Sequence, residues 1–293
     1  VPEPDSAPGT AGYLGPQGTF SEEALLGSVR PDAVIPVALS TIRDAVMAVQ
    51  TQTVRWALVP IENSVEGSVP ITLDTLAGEA ASVSIVGEVV LPVRHNLIAR
   101  VPLELHAIQT IVSHPHVPGQ CTRFLNDELA HARVTAASST AEAVRLAGED
   151  TSGQLAAIGT ELAAHIYGCT ILVPGIQDRQ DNETRFVWLA HGDASAQAPP
   201  LRQPGGHAGK TSIVFWGSGA GRSGWLVRCL DAFAERDINL TRIESRPMRE
   251  RLGDYMFFVD LEGLLADPSV VDALRALGTL CEHVRVLGSH PIA

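Results

Sequence analysis

Asn182, Thr184 and Arg185 place an amide, a hydroxyl and a guanidinium just before the apolar run Phe186-Val187-Trp188-Leu189. A chain about to enter a core normally sheds side chains that need partners. This one carries a set of donors suited to an anionic ligand to the lip of a segment dense in β-formers. A polar turn satisfying its own backbone uses the same residue types, so the stretch alone leaves both readings open. Two further strand-like runs end in the same way. Trp56 to Ile61 runs into Glu62-Asn63-Ser64-Val65-Glu66-Gly67-Ser68, and Ala107 to Val112 into Ser113-His114-Pro115-His116-Val117-Pro118-Gly119-Gln120-Cys121. Earlier, Gly15-Pro16-Gln17-Gly18-Thr19-Phe20-Ser21 links a short strand at Tyr13-Leu14 to a helix, a geometry that aims free N–H groups at a phosphate or carboxylate. In open α/β sheets ligands collect at the carboxyl ends of strands. Convergence of these ends on one cleft makes directed anion binding the chemistry to expect.

Positioning such ends takes strands alternating with helices. Thr19 with Glu22, and Ser139-Thr140-Ala141-Glu142, are helix N-terminal signals. Ile42, Ala45, Val46 and Val49 keep the spacing of an amphipathic helix after Ser40-Thr41, and Cys121, Phe124, Leu125 and Leu129 share another helical face. Val83 to Arg100 is a long β-rich run suited to crossing between two lobes. The organisation expected is therefore a disordered segment at 1–10 and a two-lobed α/β domain at 11–191, with hinges near 90–100 and 173–178. A Gly-, Pro- and Ala-rich linker at 192–209 follows, and then a separate domain at 210–293. Thr211–Trp216, Gly224–Arg236, Ile238–Glu244, Tyr255–Leu261, Pro268–Leu280 and Val284–Leu287 give that domain the βαββαβ order of ferredoxin-like folds.

Composition removes several function classes. The net charge of −12 argues against nucleic acid and anionic membrane surfaces as partners. Residues 1–204 hold 11 Lys and Arg against 22 Asp and Glu, so an anion bound there depends on local donors. No apolar run is long enough for a bilayer, and the first residues lack a signal-peptide pattern. Cys121, Cys169, Cys229 and Cys281 form no CxxC pair and read as buried thiols of a cytoplasmic protein. His114 and His116 have no third ligand at a fitting spacing, and a proline divides them, so no metal is expected.

The segments Tyr13–Ser21, Val59–Ser68, Ser113-His114-Pro115 with Gln120-Cys121, and Asn182–Phe186, in that order, closely resemble prephenate dehydratases. The resemblance covers residues 11–191. It implies a fold like periplasmic ligand-binding proteins with the site between lobes, and conversion of prephenate to phenylpyruvate, CO2 and water in phenylalanine biosynthesis. Arogenate, the transaminated relative, is the alternative substrate, and a non-catalytic amino-acid sensor the alternative function. Aromatisation drives the reaction, so no cofactor is expected. By the same resemblance Thr184 assists departure of the ring hydroxyl, within a catalytic set of Thr184, Glu62, Asn63, Ser113 and Gln120. Thr19, Ser64, His114, Asn182, Arg185 and Phe186 contact substrate. A threonine hydroxyl lies far from the Brønsted optimum, so Thr184 is expected to donate a hydrogen bond, with Glu62 or His114 as possible proton carriers.

Ile238–Pro247 and Tyr255–Gly263 resemble the ACT regulatory domain attached to these enzymes, which holds phenylalanine at a subunit interface. The implied effector residues are Glu244, Ser245, Arg246 and Pro247 of one subunit with Gly224, Trp225 and Leu226 of another, in a homodimer or homotetramer. Trp225 stands where the family keeps a small residue, and either lines that pocket or crowds it.

Overall fold

The structure is a computed structural model and describes residues 8–192, 197–202, 208–248 and 253–292. The first lobe is built on β1 (Gly9–Leu14), β2 (Val34–Leu39), β3 (Trp56–Asn63), β5 (Val83–Pro92) and β11 (Glu183–His191), with β4 (Gly67–Ser68) forming a small hairpin on β3. Helices α1 (Phe20–Ser28), α2 (Ile42–Gln50) and α3 (Pro70–Gly78) accompany it. The second lobe is a five-stranded sheet in the order β10-β6-β9-β7-β8. Its strands are β6 (Asn96–Ala99), β7 (Thr110–Ser113), β8 (Arg133–Ala136), β9 (Leu155–Gly159) and β10 (Thr170–Val173). Helices α4 (Thr122–Glu128), α5 (Thr140–Glu149) and α6 (Glu161–Ile166) belong to it. The chain passes between lobes twice, at residues 93–95 and 174–182.

The third unit comprises β12 (Gly209–Trp216), α7 (Trp225–Ala234), β13 (Leu240–Pro247), β14 (Tyr255–Glu262), α8 (Pro268–Leu280) and β15 (His283–Pro291). Its strand order β13-β14-β12-β15 continues into β5 of the first lobe, so one sheet of ten strands runs through both. The junction is a single residue pair, Gly288 with Ile85. A Cβ on Gly288 would lie 2.1 Å from the Ile85 carbonyl oxygen, so only glycine permits this approach.

Strand β11 is buried on both faces, and the period of two sorts its side chains. Phe186, Trp188 and Ala190 join Tyr13 and Leu25 in one cluster. Val187 and Leu189 join Ile61, Leu73 and Leu76 in another, which also takes in Val214, Phe258 and Leu287 of the third unit. Each Val, Leu, Ile or Phe fully buried among them stabilises by about 1.5–3 kcal/mol. The two units are thus welded by a common core.

Several boundaries differ from the sequence reading. Strand β1 begins at Gly9, while residues 1–7 lie outside those described. The run 83–100 is broken at 93–95 into β5 and β6. Strand β11 starts at Glu183, so Thr184 and Arg185 are strand residues and not part of an entering loop. Of the expected linker, 193–196 and 203–207 lie outside the described residues. The described part is pinned to the end of α1: the Arg30 N–H donates to the Pro200 carbonyl at 3.0 Å, and Arg202 Nε to the Val29 carbonyl at 2.6 Å. Cys229 and Cys281, far apart in sequence, bring their sulfurs within 3.7 Å under α7. Among the described residues no helix is long and apolar enough to cross a membrane.

Candidate active site

The hairpin at 62–68, the crossover at 177–183, the turn at 118–120 and the hinge residue His95 meet where the lobes face each other. Asn63 is the centre. Its Nδ2 donates to Asn182 Oδ1 at 2.9 Å, to the Glu183 carbonyl at 3.1 Å and to Thr184 Oγ1 at 2.9 Å. Its Oδ1 accepts the N–H groups of Val65 and Glu66, both at 2.9 Å. The amide is saturated, so Asn63 orients its neighbours and has nothing left for a ligand. Thr184 Oγ1 is used as an acceptor. Its own O–H meets no protein acceptor among the described residues and is free to donate.

Ser64 fixes the crossover, donating to the Asp181 carbonyl at 3.1 Å and accepting the Glu183 N–H at 2.9 Å. Gln120 ties the lobes together. Its Oε1 accepts from Asn182 Nδ2 at 3.0 Å and lies 3.1 Å from His95 Nε2, while its Nε2 donates to Glu66 Oε1 at 2.8 Å. With Gln120 oriented this way, His95 carries its proton on Nε2, and Nδ1 is a buried acceptor without a partner among the described residues. The His95 ring stands edge-on to Phe20 at 5.6 Å. Burial pushes its pKa down, against the opposing pull of the Gln120 bond and of Glu66, so the imidazole is neutral near pH 7. A cavity of about 180 Å³ opens beside the cluster, lined by Val65, Gly119, Gln120, Gln177, Arg179 and Asn182 among others.

The loop before α1 closes another edge of the cleft. Thr19 Oγ1 donates to the Leu14 carbonyl at 2.8 Å and caps the helix by accepting the Glu22 N–H at 3.5 Å, so its side chain is spent on local structure. Thr160 Oγ1, at the start of α6, donates to the Gly18 carbonyl at 2.6 Å and latches the second lobe to this loop. Gly18 has φ +85°, and a Cβ there would sit 2.9 Å from the Ala163 Cβ. Ser113 is buried at the end of β7, its Oγ 3.4 Å from the His114 carbonyl. His114 stacks on His116 at 5.4 Å. Its pKa is lowered by burial and by His116, against the pull of Glu66.

The prephenate dehydratase family pattern matches residues 11–194, and the ACT domain pattern matches residues 219–279. The chain belongs to the prephenate dehydratase family. It is 40% identical over 281 residues to a prephenate dehydratase of Amycolatopsis methanolica, covering 94% of this chain and 86% of that one. It is 37% identical over 286 residues to a bifunctional chorismate mutase/prephenate dehydratase of Neisseria gonorrhoeae, covering 98% of this chain and 75% of the relative. Among solved structures, the prephenate dehydratase of Arthrobacter aurescens in complex with L-Phe superposes with a TM-score of 0.83 at 36% identity, covering 96% and 89% of the two chains.

Within this prephenate dehydratase fold, two residues expected at the site lie on the other side of the sheet. Arg185 follows Thr184 on β11, so alternation turns it to the ACT face. There its Nη2 meets Asp260 at 2.5 Å, its Nη1 Glu88 at 3.3 Å, and its Nε approaches Glu62 at 3.4 Å. Burial opposes its charge, and Asp260, Glu88 and Glu62 outweigh that and raise its pKa. Burial likewise works against the Asp260 carboxylate, which Arg185, Ser212 and Arg242 nonetheless hold below its ordinary range. The expected anion grip of Arg185 is therefore corrected to an ion pair between domains. Glu62, cross-strand from Arg185, goes with it and leaves the set of candidate proton carriers. Phe186 is 2% exposed and contributes as core behind the cleft.

The effector residues separate in a similar way. Trp225 is buried against Phe215 and Phe257, at 6.0 and 5.8 Å, and its Nε1 donates to the Leu280 carbonyl at 2.8 Å. It therefore fills the ACT core under α7, with Leu226 packed against the same cluster, and neither lines nor crowds an outer pocket. Gly224, at φ +75°, is the N-cap of α7. On β13, Glu244 and Arg246 face the catalytic lobe, whereas Ser245 and Pro247 are exposed. Glu244 accepts from Ser68, and Arg246 pairs with Asp74 at 2.6 and 2.9 Å. The sequence reading missed His95 and the bridging role of Glu66. His95 sits inside a β-rich run and carries no spacing signal. Glu66 was visible only as one polar residue in a turn.

Proposed function

We propose that this cleft converts prephenate to phenylpyruvate, CO2 and water. The C–C bond to the ring carboxylate breaks, its electron pair enters the ring, and the C–O bond to the ring hydroxyl breaks as the ring becomes aromatic. Departing hydroxide takes up one proton to leave as water. No electron sink is needed, and the task left to the protein is orientation plus stabilisation of the developing charge on oxygen. The observation that carries this reading is the Asn63 hydrogen bond to Thr184. It occupies the oxygen as acceptor and leaves the O–H as the donor for the leaving group. Asn182, Gln120 and His95 complete a polar wall drawn from both lobes, while Ser64 and Thr19 hold its backbone in place.

The ACT domain supports L-phenylalanine as effector, acting from β13. Among the described residues that strand ends the ten-stranded sheet and has an unpaired edge, beside the half-exposed Ile243 and Tyr255, which supports pairing of two subunits there. Four free thiols fit a reducing, cytoplasmic setting. The test is appearance of phenylpyruvate when the purified chain meets prephenate with nothing else added. Thr184→Val should lower turnover by about 10²-fold or more in a folded protein, and Thr184→Ser should keep part of the rate. Normal turnover in the Val variant rejects the role of Thr184, and absence of phenylpyruvate with the parent rejects the activity.

A further inference from the structure

The hairpin at 62–68 has two faces that do different work. Glu62 and Ser68 are a cross-strand pair, and both are held from the ACT side. Ser68 Oγ donates to Glu244 and receives Arg242 Nη2 at 3.1 Å, and Glu62 lies 4.0 Å from Arg242 Nε and 3.4 Å from Arg185. Arg242 also reaches Glu244 at 2.5 Å, and Arg246 Nη1 stands 3.5 Å from the other Glu244 oxygen. The residues between face the cleft. Asn63 holds Thr184 and Asn182, and Glu66 at the turn holds Gln120 of the second lobe. Within seven residues the chain touches the regulatory domain, the hydroxyl assigned to the leaving group, and the contact that joins the lobes.

We infer that this hairpin is the link by which the ACT domain sets the geometry of the cleft, with Glu62 and Ser68 as positioning residues acting through Asn63 and Glu66. The inference deepens the proposed function and rests on its reading of L-phenylalanine as effector. Glu244 is a shared acceptor, committed to Ser68, Arg242 and Arg246. An amino-acid effector presents an ammonium group, the chemistry a carboxylate on β13 recognises. Drawing Glu244 toward that ammonium removes the partner of Ser68 and frees the ACT side of the hairpin. The Asn63 amide then loses its fixed register against Thr184, and Glu66 its register against Gln120. Such a device needs no large domain rotation, because the hairpin has only one short pair of rungs on β3.

Two measurements test the link. Without effector, Arg242→Met should speed backbone hydrogen exchange at residues 63–68 and 181–184 by about tenfold or more, with α2 unaffected. KM should rise several-fold as the wall loosens. Parent-like exchange in both segments overturns the inference. With effector, Ser68→Ala should bind L-phenylalanine as the parent does, followed by thermal shift, while inhibition shrinks at least fivefold. Undiminished inhibition in Ser68→Ala overturns the link. A parent that shows no response to L-phenylalanine sinks the effector reading alone, and the exchange experiment still decides whether the hairpin ties the ACT domain to the cleft.

Discussion

Arg185→Met separates two physical roles for one side chain. In the structure the guanidinium is 13% exposed and serves Asp260, 4% exposed, and Glu88, 7% exposed. Methionine preserves length and apolar contact but leaves those carboxylates behind. Breaking a buried pair by removing one partner costs about 3–5 kcal/mol. The lower end applies here, because Glu88 keeps Lys210 at 2.8 Å and Asp260 keeps Ser212 at 2.6 Å and Arg242 at 3.9 Å. A loss of about 3 kcal/mol in a chain of this size lowers the thermal midpoint by roughly 5 °C. The first lobe and the ACT domain share a core, so they should melt together. Arg185→Met/Asp260→Asn removes the stranded charge and should recover much of that loss, a coupling read directly from the double-mutant cycle. The assay is thermal unfolding of the four proteins beside their KM for prephenate. A single variant that melts like the parent while its KM rises by about 10²-fold shows that the guanidinium serves the substrate, and refutes the geometry argued above.

Three further outcomes follow from the site. His95, His114 and His290 all have pKa values lowered by burial, so the unfolded chain takes up protons first and stability falls as pH drops from about 7 to 5. Asp260 lies outside that window, since its contribution is lost only below about pH 4. His95→Gln should flatten part of the slope in thermal midpoint between pH 7.5 and 5.5, and an unchanged slope denies His95 a share in it. Gly18→Ala should cost about 1–2 kcal/mol from its backbone alone. It should also raise KM by pressing on Ala163 and the Thr160 latch, and parent-like values for both would show the loop to be slack.

Much of the candidate site stands out in residue order because its members are polar at strand ends: hydrogen bonds join Asn63 to Asn182 and Thr184, Asn182 to Gln120, and Ser64 to the same crossover. What could not be read was the face. Placing the start of β11 at Phe186 instead of Glu183 left Thr184 and Arg185 in a loop, where both could point the same way. Once they are strand residues, adjacent positions must diverge. Glu62 misled for the same reason on the neighbouring strand. The common core was invisible because Val214, Phe258 and Leu287 alternate as any half-buried strand residues do. Of the residues they bury against, Val187 and Leu189 lie across the linker, and Ile61, Leu73 and Leu76 more than a hundred residues earlier. Trp225 was legible as unusual, but whether its ring turned inward depended on the space left by Phe215, Phe257 and the end of α8.

The shared core has a consequence for anyone wishing to free this catalyst from feedback. Where a sensor hangs on a tether, cutting the gene at the boundary yields a deregulated enzyme. Here a cut near residue 208 would strip Val214, Phe258 and Leu287 from Ile61, Leu73 and Val187 and leave an apolar wall facing water. It would also strand Glu88 and Arg185 without Lys210 and Asp260. The sticky remnant invites aggregation, and exchanging the sensor for a foreign one meets the same wall. Feedback in this chain is to be edited by substitution, residue by residue, and not by excision.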